Sequence, residues 1–347
     1  MKYTKQLMDN YIEEKLCDSY ALYLYDKGNR SILTSENVNM DTYFDIASCG
    51  KVMTTSTLIL KTIGKGMLDL NDTLGTFFPE APADKRGITI KDLLTHTSGI
   101  IRYEFPDDIY TKSHDQIAEW ILAHPLAFET GSDYTYSCNG YILLGFILEK
   151  IYGKKLAEVF ETELKQPLGM TRAGFGLPEG ESNRAISHRR EADGDFPVDD
   201  ENLYKMRECA GSGAQFYCMG DAVKLMDAIL ERSGSLYPRE LFDLAEQDHT
   251  PNYSMGRGLG YWLVDDRFSP NDPLFPVGSF GHLGSTGTAF CIDRKNDRYI
   301  ILFTNFRRHI EDGIHYDYTR YMERYAQLRR EIYAAVAKDL NANLSES

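Results

Sequence analysis

Nowhere does the sequence gather lysine and arginine densely enough to make a basic face. Acidic residues outnumber basic ones 52 to 38, for a formal net charge of −14. Nucleic acid is recognised through a concentrated basic footprint, so no nucleic-acid partner is expected. Long apolar runs are missing too. The most apolar stretch, GYILLGFILEKIYG at 140–153, is short and broken by Glu149 and Lys150. No membrane-spanning helix is therefore expected. The opening MKYTKQLMDNYIEEKLCDSY has neither an apolar h-region nor a small-residue cleavage site, which reads as unexported and predicts a cytoplasmic location.

Metal and redox motifs are lacking as well. The six cysteines, Cys17, Cys49, Cys138, Cys209, Cys218 and Cys291, form no C-x-x-C pair, and the eight histidines form neither H-E-x-x-H nor H-x-H. Nothing in these spacings suggests a disulfide framework or a metal centre, and no metal or organic cofactor is expected. The absence of G-x-S-x-G argues against an alpha/beta-hydrolase. GRGLGYW at 256–262 misses G-x-G-x-x-G by one residue, has no dinucleotide-binding context, and reads as a turn into a strand.

What is present is a globular composition of 347 residues, 42% hydrophobic and 26% charged, long enough for one large domain or two intimate ones. Leu7, Met8, Tyr11, Ile12 and Leu16 have helical spacing. YALYLYDKGNRSILTSENV at 20–38 reads as a hairpin turning at Asp-Lys-Gly-Asn. From Ser48 the pattern is helical until Gly64 and Gly66 stop it. Helical patterns and loops fill about 75–205, ending in the charge-mixed stretch 178–203, an excursion over the surface or a cover over a site. Short β-like runs return at 259–266 and 287–305, the second a hairpin turning at Arg294–Asp297, and an amphipathic helix closes the chain from 316. The expected fold class is α+β and multi-domain. A sheet domain is built from 1–75 and 206–347, and a helical domain at 76–205 is inserted between its halves.

Three stretches carry candidate chemistry. In DIASCGKVMTT, Ser48 and Lys51 stand at i and i+3, on one face of a helix. The free N–H groups at a helix start can stabilise an oxyanion, and a desolvated lysine can serve as a base. The plainer alternative is a helix cap beside a solvated lysine. In DYTYSCNGYILLG, Tyr136 precedes an apolar helix; among 23 tyrosines a core or turn role is the alternative. In FGHLGSTGTAFCID, Gly281, Gly284 and Gly287 with Ser285, Thr286 and Thr288 make a strand with few projecting side chains. Another molecule's backbone could lie along it, or it is simply a tight edge with a structural His282.

In their order, these elements resemble those of the serine beta-lactamase and penicillin-binding-protein superfamily. The nearest likeness is to its class C-like branch, which also holds esterases and D-aminopeptidases. LLTHTSGI at 93–100, GKGMLDLNDTLGTFFPE at 64–80, QPLGMTRAGF at 166–175, ECAGSGAQFYCMGDAVKLM at 208–226 and FTN at 303–305 resemble further segments of that branch. The likeness covers about 20–310.

It implies an antiparallel sheet flanked by the N- and C-terminal helices, an inserted all-helical domain, and an active site in the cleft between them. By the same resemblance Ser48 is the acylated nucleophile, Lys51 relays its proton, and Tyr136 is the shared acid/base partner. The backbone N–H groups of Ser48 and Ser285 form the oxyanion hole. Cys138, His282, Gly284 and Ser285 line the substrate side.

Two departures stand out. The second motif of the family is Tyr-x-Asn, and here Cys138 takes the asparagine slot, a position from which a thiol holds a lysine and a carbonyl poorly. Ser137-Cys138-Asn139 could instead be the Ser-x-Asn of other lactamase classes; the tyrosine register is preferred because GYILLG anchors it. The third motif of true lactamases begins with lysine, and here it begins with His282, as in esterase and aminopeptidase branches. His96 reads as buried and structural. The expected activity is hydrolysis of an ester or amide of a small molecule or short peptide through an acyl-enzyme. The alternatives are a weak beta-lactamase or D,D-carboxypeptidase, and a non-hydrolytic binding or sensing protein.

Overall fold

The computed structural model describes residues 1–101, 103–186, 196–269, 272–306 and 318–346. The charged run 187–195, part of the expected surface excursion, lies outside the described residues. Ten strands are present among the described residues: β1 Tyr20–Asp26, β2 Asn29–Thr34, β3 Tyr43–Asp45, β4 Gly174–Phe175, β5 Arg184–Ala185, β6 Gln215–Tyr217, β7 Trp262–Leu263, β8 Phe280–Leu283, β9 Ala289–Asp293 and β10 Arg298–Thr304. They form an antiparallel sheet in the order β2-β1-β10-β9-β8-β7 and a smaller sheet in the order β4-β6-β3-β5.

The large sheet joins distant ends of the chain. Tyr20 pairs with Thr304, and the register runs on to Asp26 against Arg298. Both strands are apolar at nearly every position because the sheet is covered on both faces. Side chains alternate between faces with period two. Ala21 and Tyr23, with Tyr299, Ile301 and Phe303, enter the main core. Tyr20, Leu22 and Leu24, with Ile300 and Leu302, enter a second core. That second core is closed by Met8 and Tyr11 of the helix Lys2–Glu13 and by Tyr325, Leu328, Ile332, Tyr333 and Val336 of the helix Tyr318–Glu346. Each such side chain, fully buried, contributes about 1.5–3 kcal/mol.

Both expected hairpins form. Lys27 and Gly28 take positive φ, 50° and 86°, the twist a tight β1–β2 connection requires. The second turn closes between Asp293 and Arg298, with Asp297 at φ 52°. The run expected as a strand at 259–266 contributes only Trp262 and Leu263. Gly260 before it has φ 97°, and a Cβ there would meet Ser56 Oγ at 2.2 Å. The backbone is pressed against the segment after Lys51 and cannot extend the strand.

The helix expected from Ser48 is wound in three ways: a 3₁₀ turn at Ala47–Cys49, a π-helix at Lys51–Ser56 and an α-helix at Thr57–Gly64. The run Thr-Thr-Ser-Thr supplies hydroxyls that compete with backbone ladders, and distant segments supply most of their partners. Thr57 Oγ1 donates to Val52 O at 2.8 Å, and Thr55 Oγ1 to Gly211 O at 2.6 Å. Thr54 meets Tyr217 Oη and Ser56 meets Tyr141 Oη, each at 3.1 Å.

The stretch 76–205, expected as all-helical, also supplies β4 and β5. These pair with β6 and β3, and β3 leads directly into Ser48. Two-residue strands carry no periodic signal, so the sequence does not announce them. No helix among the described residues is long and apolar enough to cross a membrane.

Candidate active site

Ser48 sits in the 3₁₀ turn after β3, and the residue before it is strained. Ala47 has φ 46°, a conformation that costs a non-glycine residue on the order of 1–3 kcal/mol. Its N–H donates to Asp45 Oδ1 at 2.8 Å. Lys51, one turn on, is fully buried. Its Nζ donates to Ser48 Oγ at 3.1 Å and to the main-chain carbonyl of Ser212 at 2.6 Å. The same nitrogen lies over the rings of Tyr136, at 5.2 Å, and Tyr141, at 6.0 Å.

Tyr136 enters from the segment before the helix Cys138–Tyr152. Its hydroxyl is buried, with no hydrogen-bond partner for it among the described residues. Burial holds its pKa well above the ordinary phenol value; Cys138 adds to the rise, while nearby Ser48 and Arg257 pull against it. The other register of the second motif has different work. Ser137 Oγ accepts from Gly140 N at 3.0 Å and caps the helix. Asn139 Nδ2 donates to Ile101 O at 3.1 Å. Cys138 is buried in the first position of that helix, beside Tyr136.

The Gly-rich strand completes the cluster. His282 is buried with its ring 6.2 Å from that of Tyr136. Burial, then the charges of Arg257 and Lys51, keep its pKa well below the usual imidazole range, so the ring is neutral. Nδ1–H donates to Leu283 O at 2.8 Å, which leaves Nε2 as a buried acceptor without a partner among the described residues. Gly284 is pressed on the segment that leads into Ser48: a Cβ there would stand 2.7 Å from Ile46 O. Ser285 Oγ donates to Asp199 Oδ2 at 2.9 Å. Every residue expected at the site thus comes from one of three segments that converge on Lys51 and Tyr136.

His96 is buried, as expected of a structural residue, and holds the left-handed C-cap of the helix Ile90–Thr95. Its Nδ1 accepts from Ser137 N at 3.1 Å, and its ring is 4.5 Å from Tyr136.

Other residues here were not expected from the sequence. The Ser212 carbonyl holds Lys51, a backbone contact across 161 positions that no side-chain motif encodes. Arg257, in the stretch read as a turn, is 4% exposed. Its guanidinium donates to the Tyr134 hydroxyl and lies 5.7 Å from the Tyr136 ring. Its Nε and Nη1 have no partner, and no carboxylate pairs with it among the described residues. A cation set among three glycines in GRGLG is the one signal that could have drawn attention to it.

The sequence profile of the Beta-lactamase family matches residues 5–320. The chain belongs to the beta-lactamase family of serine hydrolases. It is 27% identical over 326 residues to an N-acetylmuramyl-L-alanine amidase of Bacillus subtilis, covering 82% of this chain and 73% of that protein. It is 27% identical over 324 residues to a putative D-alanyl-D-alanine carboxypeptidase of Escherichia coli, covering 80% and 73%. Among solved structures, a class C beta lactamase from Rhodobacter sphaeroides superposes with a TM-score of 0.75 over 98% of this chain and 100% of that one. At 17% identity that likeness speaks to the fold alone. Within the beta-lactamase family, this chain combines a neutral histidine at the head of its third motif with an arginine from a separate turn.

Proposed function

We propose that Ser48 is the acylated nucleophile of a hydrolase that cleaves an ester or amide bond in a small molecule or short peptide. The observation that carries this reading is Lys51: fully buried, with no carboxylate hydrogen-bonded to its Nζ among the described residues, and 3.1 Å from Ser48 Oγ. As the free amine, a lysine so placed can take the serine proton as the bond to the acyl carbon forms, and return it to Ser48 Oγ when water releases the acyl group. Tyr136, held neutral by burial, then delivers a proton to the leaving group and later recovers one from the attacking water. The N–H groups of Ser48 and Ser285 receive the developing oxyanion. Cys138, His282 and Gly284 line the substrate side. The segments 1–75 and 206–347 would carry the sheet half of the cleft, and 76–205 the other half.

Arg257 favours a narrower reading of the substrate. A buried guanidinium with two unpartnered nitrogens is costly unless an anion completes it. Its guanidinium lies 5.7 Å from the ring of Tyr136, the proton donor to the leaving group in this reading, which supports a substrate with a carboxylate on its leaving group. The names of the two relatives, an amidase and a putative carboxypeptidase, agree with amide chemistry on short peptides.

The test is covalent labelling with a fluorophosphonate and, separately, a fluorescent penicillin, the adduct being located by mass spectrometry. Labelling of Ser48 is expected from the phosphonate. Penicillin labelling as well would favour a carboxypeptidase or lactamase. No adduct on Ser48 from either reagent, in folded protein, would leave a non-hydrolytic binding protein.

A further inference from the structure

Two buried aspartates next to the site have no part in the acyl-transfer scheme. Asp45 and Asp199 are 2% and 1% exposed. Their carboxylates lie close enough that Asp199 is, after burial itself, the main influence raising the Asp45 pKa, to about 7. Placing two acids side by side in the interior is destabilising unless their oxygens are well used. Here they are used on the two segments that carry the oxyanion-hole residues.

On one side, Asp45 Oδ1 accepts from Ala47 N at 2.8 Å and so holds the strained φ 46° turn that presents Ser48. Its other oxygen, Oδ2, accepts from Asp199 N at 2.9 Å. On the other side, Asp199 Oδ2 accepts from Ser285 Oγ at 2.9 Å. A second strap runs directly between the segments, since Thr286 Oγ1 donates to Asp45 O at 3.0 Å. Helix capping does not explain Asp199. That work belongs to its neighbour Asp200, whose Oδ1 accepts from Asn202 N at 2.9 Å and Leu203 N at 3.1 Å.

We propose that Asp45 and Asp199 are positioning residues, a buried clamp that fixes the backbone of Ser48 and the backbone of Ser285 in one geometry and so sets the oxyanion hole. The proposal rests on the reading of Ser48 as nucleophile. A clamp of this kind acts on the tetrahedral state, where the oxygen becomes anionic, and leaves ground-state binding nearly unchanged. Its loss therefore lowers kcat and spares KM. Its members act as one unit, so their removal is not additive.

The test uses the full chain with 4-nitrophenyl butyrate as substrate and phenylboronic acid, which forms a tetrahedral adduct on a serine, as the probe of the hole. Ser285→Ala keeps the N–H and removes only the hydroxyl leash. Asp199→Ala removes the acceptor, and Asp199→Asn restores one. Ser285→Ala and Asp199→Ala are each expected to lower kcat about 10- to 100-fold, less than the roughly 10²–10³-fold of a donor removed outright. KM should stay within about threefold, and boronate affinity should fall in step with kcat. The double variant should be no slower than the worse single one, and Asp199→Asn should recover most of the rate. Should Asp199→Ala not fold, Ser285→Ala together with Asp199→Asn decides the matter.

In folded variants that still label at Ser48, kcat within about twofold of the parent overturns the clamp and leaves the nucleophile reading intact. A loss carried by KM rather than kcat, a fall in kcat with boronate affinity unchanged, or no recovery in Asp199→Asn overturns it also, as the sign of a merely structural role. Absence of any Ser48 adduct in the parent protein removes both readings together.

Discussion

Lys51 Nζ is held by the main-chain carbonyl of Ser212 at 2.6 Å, and from that anchor it reaches Ser48 Oγ at 3.1 Å. The family's second motif has an asparagine where this chain has Cys138, and a thiol cannot hold an ammonium as an amide oxygen does. The Ser212 carbonyl supplies an anchor for Lys51 from another segment. Replacing Lys51 by Ala should therefore lower the rate of Ser48 phosphonylation by about 10²–10⁴-fold, the scale of a lost general base. Cys138→Ala should change it by less than about threefold. Time-resolved labelling of both variants checks this, and a large loss in Cys138→Ala would show that the thiol itself holds substrate or lysine.

Tyr136 offers a separation of chemistry from stability. Its hydroxyl is buried with no well-formed hydrogen bond among the described residues, Ser48 being close by, so little structural contact is lost in Tyr136→Phe. Thermal unfolding should shift by no more than about a degree or two, or move upward, because an unsatisfied polar group has gone. Turnover of a nitrophenyl ester should fall about 10²-fold or more. A variant that melts early and turns over normally would reverse the assignment.

Arg257 bears on substrate choice. The thioester benzoylglycyl-thioglycolate carries a free carboxylate on its leaving group, and its methyl ester is the uncharged counterpart. The parent protein should prefer the acid. Arg257→Gln should erase the preference through a KM increase of about 10- to 100-fold for the acid, the scale of one charged hydrogen bond, while the methyl ester is handled much as before. Equal losses on both substrates would make Arg257 a scaffold residue.

These three outcomes depend on features of unequal visibility in the sequence. Ser48 and Lys51 are legible because i and i+3 face one way on any helical turn, and Tyr136 because the apolar run after it fixes the register. The hairpins are legible from Lys27-Gly28 and from the turn before Arg298, since turn chemistry is local. The Ser212 carbonyl is not, because every residue has a carbonyl and only the fold selects one. Arg257 reads as an ordinary surface cation until its burial is known. The pairing of Asp45 with Asp199 spans 154 positions. The π-winding of Lys51–Ser56 reflects hydroxyl partners on Gly211, Tyr217 and Tyr141, all supplied by distant segments.

Away from the site, His114 lies between Glu149 and Glu208, its Nε2 2.9 Å from the latter. Burial alone would lower its pKa, but the hydrogen bonds to the two carboxylates raise it to about 9. A histidine with a raised pKa in the folded state contributes stability that is full below about 6.5 and is lost as pH rises through about 9. The group is partly solvent-screened, so the contribution is on the order of 1–2 kcal/mol. Urea unfolding at pH 6.5 and at pH 10 should show the parent losing that amount relative to His114→Ala. Parallel pH profiles for the two proteins would remove the ion pairs from the account.

The central claim is an acyl-enzyme on Ser48, and the most direct measurement traps it. The protein is mixed with excess 4-nitrophenyl butyrate, quenched in acid within milliseconds to seconds, digested and analysed by mass spectrometry. A butyryl group on the peptide containing Ser48, absent in Ser48→Ala and formed far more slowly in Lys51→Ala, is the predicted result. Turnover of the ester with no acyl group on that peptide, or with undiminished activity in Ser48→Ala, would contradict it.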